Sequence, residues 1–498
     1  MIKYGIAWDF ILDWGIMFKK LKSTKVITSL AFIISLIYFG IFRFLIIPSG
    51  DDYFWWGDQG NYLMHHHFYG PQAIYGGSSN GRYIGNMMEI LTMHHQILAI
   101  LAYAFGWTLL IWCIWRLSGK TLTSLLLAGL FTMTLQTAFV NNVLVWNAGF
   151  VNYVPPLILV MFYLIIVHRG RTQELNKFTA LLTLVIGYIG GFFTEGMTLT
   201  AICLGIMILL YFRKSSKLYH LTYLAGAIIS AITMFSHRGY HEKNIYHQTT
   251  FDPNKMWDIY SKITHFWIIT FNIALLMTIL VAIIVLALRT NLPTWKKYFL
   301  TIVSIGFIIY YIAINIKLKT IPMNDAYGYN VISGRLSNIE GIVSLLFIIF
   351  IGYAIFTFFN DPQIWCYFLL TGVIVGQLLF VQAPINCRGY FPAYTFMYLI
   401  AMRFVLRASN EIKINKYVIN TVLLLGLVVT AGTYQYKLHA NYEVNLQRVN
   451  NPKFYNQGLT FTKHVPYRHL VWTNDLTNQQ NPRYWKLYLE KHHYDIQK

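Results

Sequence analysis

The sequence predicts an all-α membrane protein of about 13 transmembrane helices, and three observations predict it. Apolar residues make up 56% of the 498 residues and charged residues only 12%, where a soluble domain carries about 25% charged residues. The apolar residues come in long blocks, many near the roughly 20 that a helical span needs. Lys and Arg collect on alternate connections between those blocks, as cytoplasmic loops do. An ordinary soluble enzyme, a disordered chain and a disulfide scaffold are excluded. The formal charge of +20 reads as basic loops attracted to anionic lipid, and no nucleic-acid partner is expected.

The first 25 residues read as an amphipathic start ending in Lys19, Lys20, Lys22 and Lys25. No small-residue cleavage site follows the first apolar block, so that block is expected to stay as an anchor. Candidate spans follow at 26–47, 97–117, 121–140, 154–168, 178–194, 196–212, 218–235, 263–288, 298–316, 340–359, 364–382, 391–406 and 417–436. Arg116/Lys120, Arg169/Arg171/Lys177, Arg213/Lys214/Lys217, Arg289/Lys296/Lys297 and Arg407/Lys413/Lys416 then share one side with the N-terminus, which makes that side cytoplasmic. Of the 19 acids only Asp9, Asp13, Glu174, Asp361 and Glu411 fall there. Inner connections are short. Outer ones are long, at 48–96, 236–262 and 317–339, and the C-terminus falls outside. The division expected is a multi-pass domain over 1–436 and a small extracytoplasmic cap over 437–498, rich in aromatics such as Trp472, Tyr484, Trp485, Tyr488 and Tyr494. The working surface therefore faces away from the cytoplasm.

Cys113, Cys203 and Cys366 fall in apolar blocks and Cys387 alone looks exposed, so no disulfide framework is available. No Asn-x-Ser/Thr acceptor site occurs, which suits a bacterial protein. There is no P-loop, dinucleotide fingerprint or nucleophile elbow.

Chemistry concentrates on the outer segments. Pro48 and Gly50 stop the first span, and Asp51 and Asp52 follow at once. Adjacent carboxylates at a membrane surface can act as a base, a metal site or a clamp on sugar hydroxyls, or simply open a solvated turn. The run Tyr53–Trp56 reads as an interfacial belt. Arg82, after Asn80-Gly81, has the fork that suits a phosphate and equally suits a lipid headgroup. Glu89, on an apolar stretch, needs a partner. His65, His66, His67, His94 and His95 lack metal-ligand spacing and read as solvated. Trp146, Asn147, Asn152 and Tyr153 join aromatics to amides, as a sugar pocket does. Glu195 stands between apolar segments, where an ionisable group is a site candidate. Arg335 and Arg388 are candidates to neutralise a lipid phosphate. Arg238, Lys243, Lys317 and Lys319 are weaker competitors, and His237 and His241, beside Arg238, are of a type that can do acid/base work but nothing singles them out.

An outward-facing enzyme without a nucleotide site must receive an activated substrate, and a lipid-linked phosphosugar is the natural one. In order, the chain carries Asp51-Asp52, Gly81-Arg82, Trp146-Asn147-Ala148-Gly149-Phe150-Val151-Asn152-Tyr153-Val154-Pro155-Pro156, Glu195 and Arg388. This set resembles the GT-C superfamily of integral-membrane glycosyltransferases. It looks most like a bacterial multi-pass, glucosyltransferase-like family with DD, GR and W-x-x-G-x-x-N-Y-x-x-P motifs, an isolated Glu and a late Arg. The resemblance covers most of 50–390 and leaves out the tail.

It implies a GT-C-like fold and a polyprenyl-phosphate sugar donor. It also implies a cell-wall, teichoic acid or surface-glycan acceptor, and a place in the bacterial plasma membrane. Asp51 or Asp52 would be the base or acceptor-positioning group, with Glu195 in the catalytic set. Arg82, Arg388 and Arg335 would face the phosphate, and Trp146, Asn147, Asn152 and Tyr153 the sugar. The acids are adjacent rather than spaced as in a metal-binding Asp-x-Asp pair, so no metal or other cofactor is expected. The alternative is a flippase for a lipid-linked glycan. That would want charges along the spans and an internal repeat, neither of which is visible.

Overall fold

The computed structural model describes residues 24–66, 80–241, 249–318, 334–381, 385–412, 414–454 and 461–472. The amphipathic N-terminal stretch, His67, Lys243, Lys319 and the tail aromatics beyond Trp472 lie outside these residues, as does the side chain of Asp51. Among the described residues the chain is helical, with no strand and only isolated bridges such as that between Thr249 and Val381.

Helix α1 (Thr24–Leu45) leads into two short helices, α2 (Asp51–Trp56) and α3 (Asp58–His65). Helices α4 (Tyr83–His94) and α5 (Gln96–Ser118) follow, then a brief α6 (Leu122–Leu130). Next come α7 (Asn147–Gly170), α8 (Phe178–Gly190), α9 (Glu195–Phe212) and α10 (Leu218–Phe235). The second half holds α11 (Pro253–Thr270), α12 (Ile273–Arg289), α13 (Thr294–Leu318) and α14 (Gly334–Phe358). It closes with α15 (Pro362–Leu378), α16 (Phe391–Glu411) and α17 (Lys416–Asn450).

The protein is an all-α, multi-pass membrane protein. Eight of these helices are long and apolar enough to cross a membrane, or nine if α11 and α12, bent by 64°, form one broken span. That is fewer than the thirteen expected, and the shortfall has local causes. The block 121–140 is not one helix: α6 gives way to a 3₁₀ turn, Thr132–Thr134, and then to π-helical Val140–Leu144. Helix α8 has 13 residues, short of a span, and α15 has 17, at the lower limit of one. Helix α16 carries Arg403, Arg407 and Glu411 and runs through the protein core, with Phe391 to Met402 all buried.

Side-chain placement follows helical periodicity. On α1, Leu30, Ile33, Ile34, Ile37 and Ile41 are exposed, forming a lipid-type stripe. The opposite stripe, Phe39, Phe42 and Leu45, is buried. Phe42 stacks on Tyr103 of α5 at 6.1 Å, and Tyr103 meets Phe150 of α7 at 4.8 Å. The outer segment 48–96 is largely helical where described. One expected boundary shifts. Helix α17 runs through position 436 without a break, and its 35 residues reach about 52 Å at 1.5 Å per residue, well beyond the roughly 30 Å hydrocarbon core. Its last turns are polar and packed, with Asn441, Asn445 and Arg448 buried.

Candidate functional site

One end of the bundle gathers most of the residues singled out in the sequence. Gly50 has φ +56°, a left-handed conformation that glycine takes without strain, and it turns the chain from α1 into α2. Asp52, 1% exposed, lies in the first turn of α2. Its Oδ2 accepts the Ser49 N–H at 3.1 Å, and its Oδ1 accepts the Ala148 N–H at 3.2 Å. The carboxylate thus joins the start of α2 to the start of α7, where main-chain N–H groups are free to donate.

The α7 start is built from the W-x-x-G-x-x-N-Y-x-x-P stretch. Trp146 donates its indole N–H to the Ser49 carbonyl at 3.2 Å. Asn147 accepts from Arg43 at 3.4 Å and donates to Thr92 Oγ1 at 3.0 Å. Asn152 donates to the Glu89 carboxylate and to the Ala148 carbonyl. Gly149 is required, because a Cβ there would sit 1.9 Å from the Asn142 carbonyl oxygen. Pro155 and Pro156 lie inside the helix and donate no N–H, so the carbonyls of Val151 and Asn152 lose their helical partners.

A second polar group adjoins this one through α4. Arg82 caps α4 and binds Glu195 through Nε, 3.0 Å from each carboxylate oxygen, and through Nη2 at 2.6 Å. The Tyr240 hydroxyl donates to Glu195 Oε1 at 2.6 Å and accepts the Gly81 N–H at 3.2 Å. Burial, reinforced by the Glu195 carboxylate it faces, raises the Tyr240 phenol above its ordinary range. Burial opposes the charge on Arg82, but the attraction of Glu195 outweighs it, and the guanidinium pKa rises above its usual value. Tyr153 is near enough to contribute to the same field. Gly85 binds the two groups together, since a Cβ there would crowd both Asn152 Oδ1 and the Phe193 main chain.

Arg388, in a 3₁₀ turn before α16, sits 4.8 Å from the centroid of the Trp146 ring. The C-terminal segment reaches the same place. Trp472 stacks on Trp146 at 4.2 Å with the rings 2° from parallel, and its N–H donates to Asn142 at 3.0 Å. Asn141 donates to the Val471 carbonyl at 2.6 Å. A Cβ on Gly50 would fall 1.6 Å from the Trp472 ring.

The structure therefore brings together Asp52, Arg82, Glu195, Trp146, Asn147, Asn152, Tyr153 and Arg388. It does not bring in Arg335, which stands exposed in the first turn of α14 with no ion pair or hydrogen bond among the described residues. Two expectations change in kind. Arg82, expected to await a phosphate, is engaged by Glu195. Trp146, expected to offer a face to a sugar, is 2% exposed beneath Trp472 and Arg388. Among the histidines, His65, His66 and His94 each hold a ring nitrogen 2.7–2.9 Å from the carbonyl four residues earlier, a local role.

Sequence reasoning passed over Arg43, Thr92, Tyr240 and Asn142. Arg43 carried a usable signal, being a lone charge inside the first apolar block. Cys387 looked exposed in the sequence but is buried. No known protein family, no curated protein and no solved structure matches this chain.

Proposed function

We propose that this protein is a GT-C-like glycosyltransferase of a bacterial plasma membrane. It moves a sugar from a polyprenyl-phosphate donor to a cell-envelope acceptor, such as a wall polymer or surface glycan, on the outer face. The observation that carries the reading is the convergence, at one end of the bundle, of the Asp51-Asp52 turn, the α7 motif, the Arg82–Glu195 pair and Arg388. These residues come from distant parts of the chain. The Lys/Arg distribution supports an inner N-terminus, which puts this end outside.

Within the reading each group has a task. Asp52 has both oxygens taken by main-chain N–H groups and holds the turn. Asp51, beside it in sequence, takes the acceptor hydroxyl's proton as general base. Arg388, which forms no ion pair among the described residues, offers its fork to the leaving lipid phosphate. Glu195 keeps Arg82 in place at the rim of the sugar site, beside Asn152 and Tyr153. The reaction exchanges the bond from the anomeric carbon to the lipid phosphate for a bond to the acceptor oxygen. The phosphate leaves with the electron pair, and the acceptor proton goes to the carboxylate.

The test is transfer of radiolabelled sugar from a panel of synthetic polyprenyl-phosphate sugars by the purified chain, with crude envelope as acceptor. The Asp51→Asn/Asp52→Asn variant runs beside it. Label reaching the envelope with the wild type alone supports the reading. Binding or movement of the lipid without transfer, for every donor, would turn it toward the flippase alternative.

A further inference from the structure

At the opposite end of the bundle lies a cavity of about 530 Å³, inside the roughly 300–1,000 Å³ range of small-molecule pockets. It sits between the last turns of α7 and α9 and the first turns of α15. Leu164, Ile208, Leu210 and Trp365 are among its apolar lining. From Glu195 to Ile208 along α9 is roughly 20 Å at 1.5 Å per residue, so this cavity is separate from the proposed donor site.

Among the polar side chains of the lining, Gln363 and Tyr367 are bonded to each other and to the Leu117 carbonyl, whereas two other groups are left without a side-chain partner. Arg171 is exposed, and its side chain makes no hydrogen bond or ion pair among the described residues. His168 has its Nδ1 buried with no hydrogen bond. The charges that face His168 are Lys120, Arg171, Arg403 and Asp361. Asp361 is already taken, bound by Arg403 at 2.5 Å and by the Gln363 N–H at 3.0 Å. The field at the mouth is thus positive. An apolar cavity with a cationic mouth and an unsatisfied imidazole nitrogen suits an amphiphile with one or two chains and an anionic head.

We infer that this cavity is a binding site for an anionic glycerophospholipid. An acyl chain fills the space between α7, α9 and α15, the phosphate meets Arg171, and a head-group or glycerol oxygen meets His168 Nδ1. The inference does not depend on the proposed reaction.

The full chain, purified in detergent, would be titrated with phosphatidylglycerol, with phosphatidylcholine of the same chains and with inorganic phosphate. Tightly retained ligand is counted by native mass spectrometry. Two variants run beside it: Arg171→Glu reverses the charge at the mouth, and Leu210→Trp fills the cavity from a position 65% exposed. Both sites are exposed, and melting curves without lipid check that the variants fold. The wild type is expected to retain one phosphatidylglycerol, with phosphatidylcholine at least about fivefold weaker and free phosphate unbound. Arg171→Glu should erase the preference between the lipids, and Leu210→Trp should weaken both. Equal retention of the two lipids by the wild type would overturn the inference. So would a preference that survives Arg171→Glu, or full retention by Leu210→Trp.

Discussion

The two adjacent acids should separate cleanly on mutation. In Asp52→Asn, one side-chain oxygen is replaced by an NH₂ group. Either the Ser49 or the Ala148 N–H then faces a donor instead of an acceptor. Each buried N–H left unsatisfied costs about 1–3 kcal/mol. Arg43, 9% exposed and in the electrostatic reach of Asp52, also loses a negative neighbour. The sum is about 2–4 kcal/mol. At 2–4 °C per kcal/mol, a figure taken from domains of a few hundred residues, the melting midpoint in detergent should fall by roughly 4–16 °C. Asp51→Asn should leave the midpoint where it is and lower sugar transfer by about 10²- to 10⁴-fold, the usual worth of a general base. Melting is read by intrinsic tryptophan fluorescence and transfer by the radiolabel assay, on the same preparations. An Asp52→Asn protein as stable as wild type, or an Asp51→Asn protein with unimpaired transfer, would refute this division of roles.

Other outcomes follow from the same geometry. Arg82 and Glu195 should show a coupling of about 1.5–3 kcal/mol in a double-mutant cycle of Arg82→Met and Glu195→Gln read by melting, as expected for a charge-assisted, two-pronged contact. Tyr240→Phe removes a hydroxyl that both donates to Glu195 and accepts from Gly81, and should cost about 1–2 kcal/mol by the same measurement. Arg388→Ala should weaken binding of a polyprenyl-phosphate donor, measured by competition, while leaving binding of a non-phosphorylated polyprenol unchanged. Trp472→Ala should lower both stability and transfer, with Trp472→Phe restoring most of each. Gly50→Ala should fold poorly, because its Cβ meets both an unfavourable φ and the Trp472 ring.

How much of this was legible in the sequence depends on whether a signal is local. Apolar blocks and basic loops are local, and they give the all-helical, membrane-embedded class directly. Gly50, Asp51 and Asp52 announce themselves because helix stop and acids are contiguous. Thirteen apolar blocks stand against eight or nine helices of spanning length and composition among the described residues, because hydropathy alone cannot tell a helix that crosses lipid from one buried in protein. Helix α16 reads as apolar since its neighbours, not lipid, cover it. The break at Thr132–Leu144 was hidden too, for a π-helical turn has no composition of its own. Partnerships are the least legible. Arg82 and Glu195 were each visible as charges out of place, yet nothing in either neighbourhood says that they bind each other. Tyr240 could not be picked from its surroundings, and Trp472 was one aromatic among many in the tail.

The contact between Gly50 and Trp472 also sets a timetable. Residues 46–52 leave the ribosome early, whereas Trp472 emerges only after helices α1–α17. At roughly 5–20 residues per second, on the order of a minute separates the two. During that interval the turn that holds Asp52 lacks the indole that packs over it, and the α7 motif lacks its stacking partner. The candidate site is thus incomplete while the chain is being inserted, and is completed only when α17 is in place and the segment up to Trp472 has folded back.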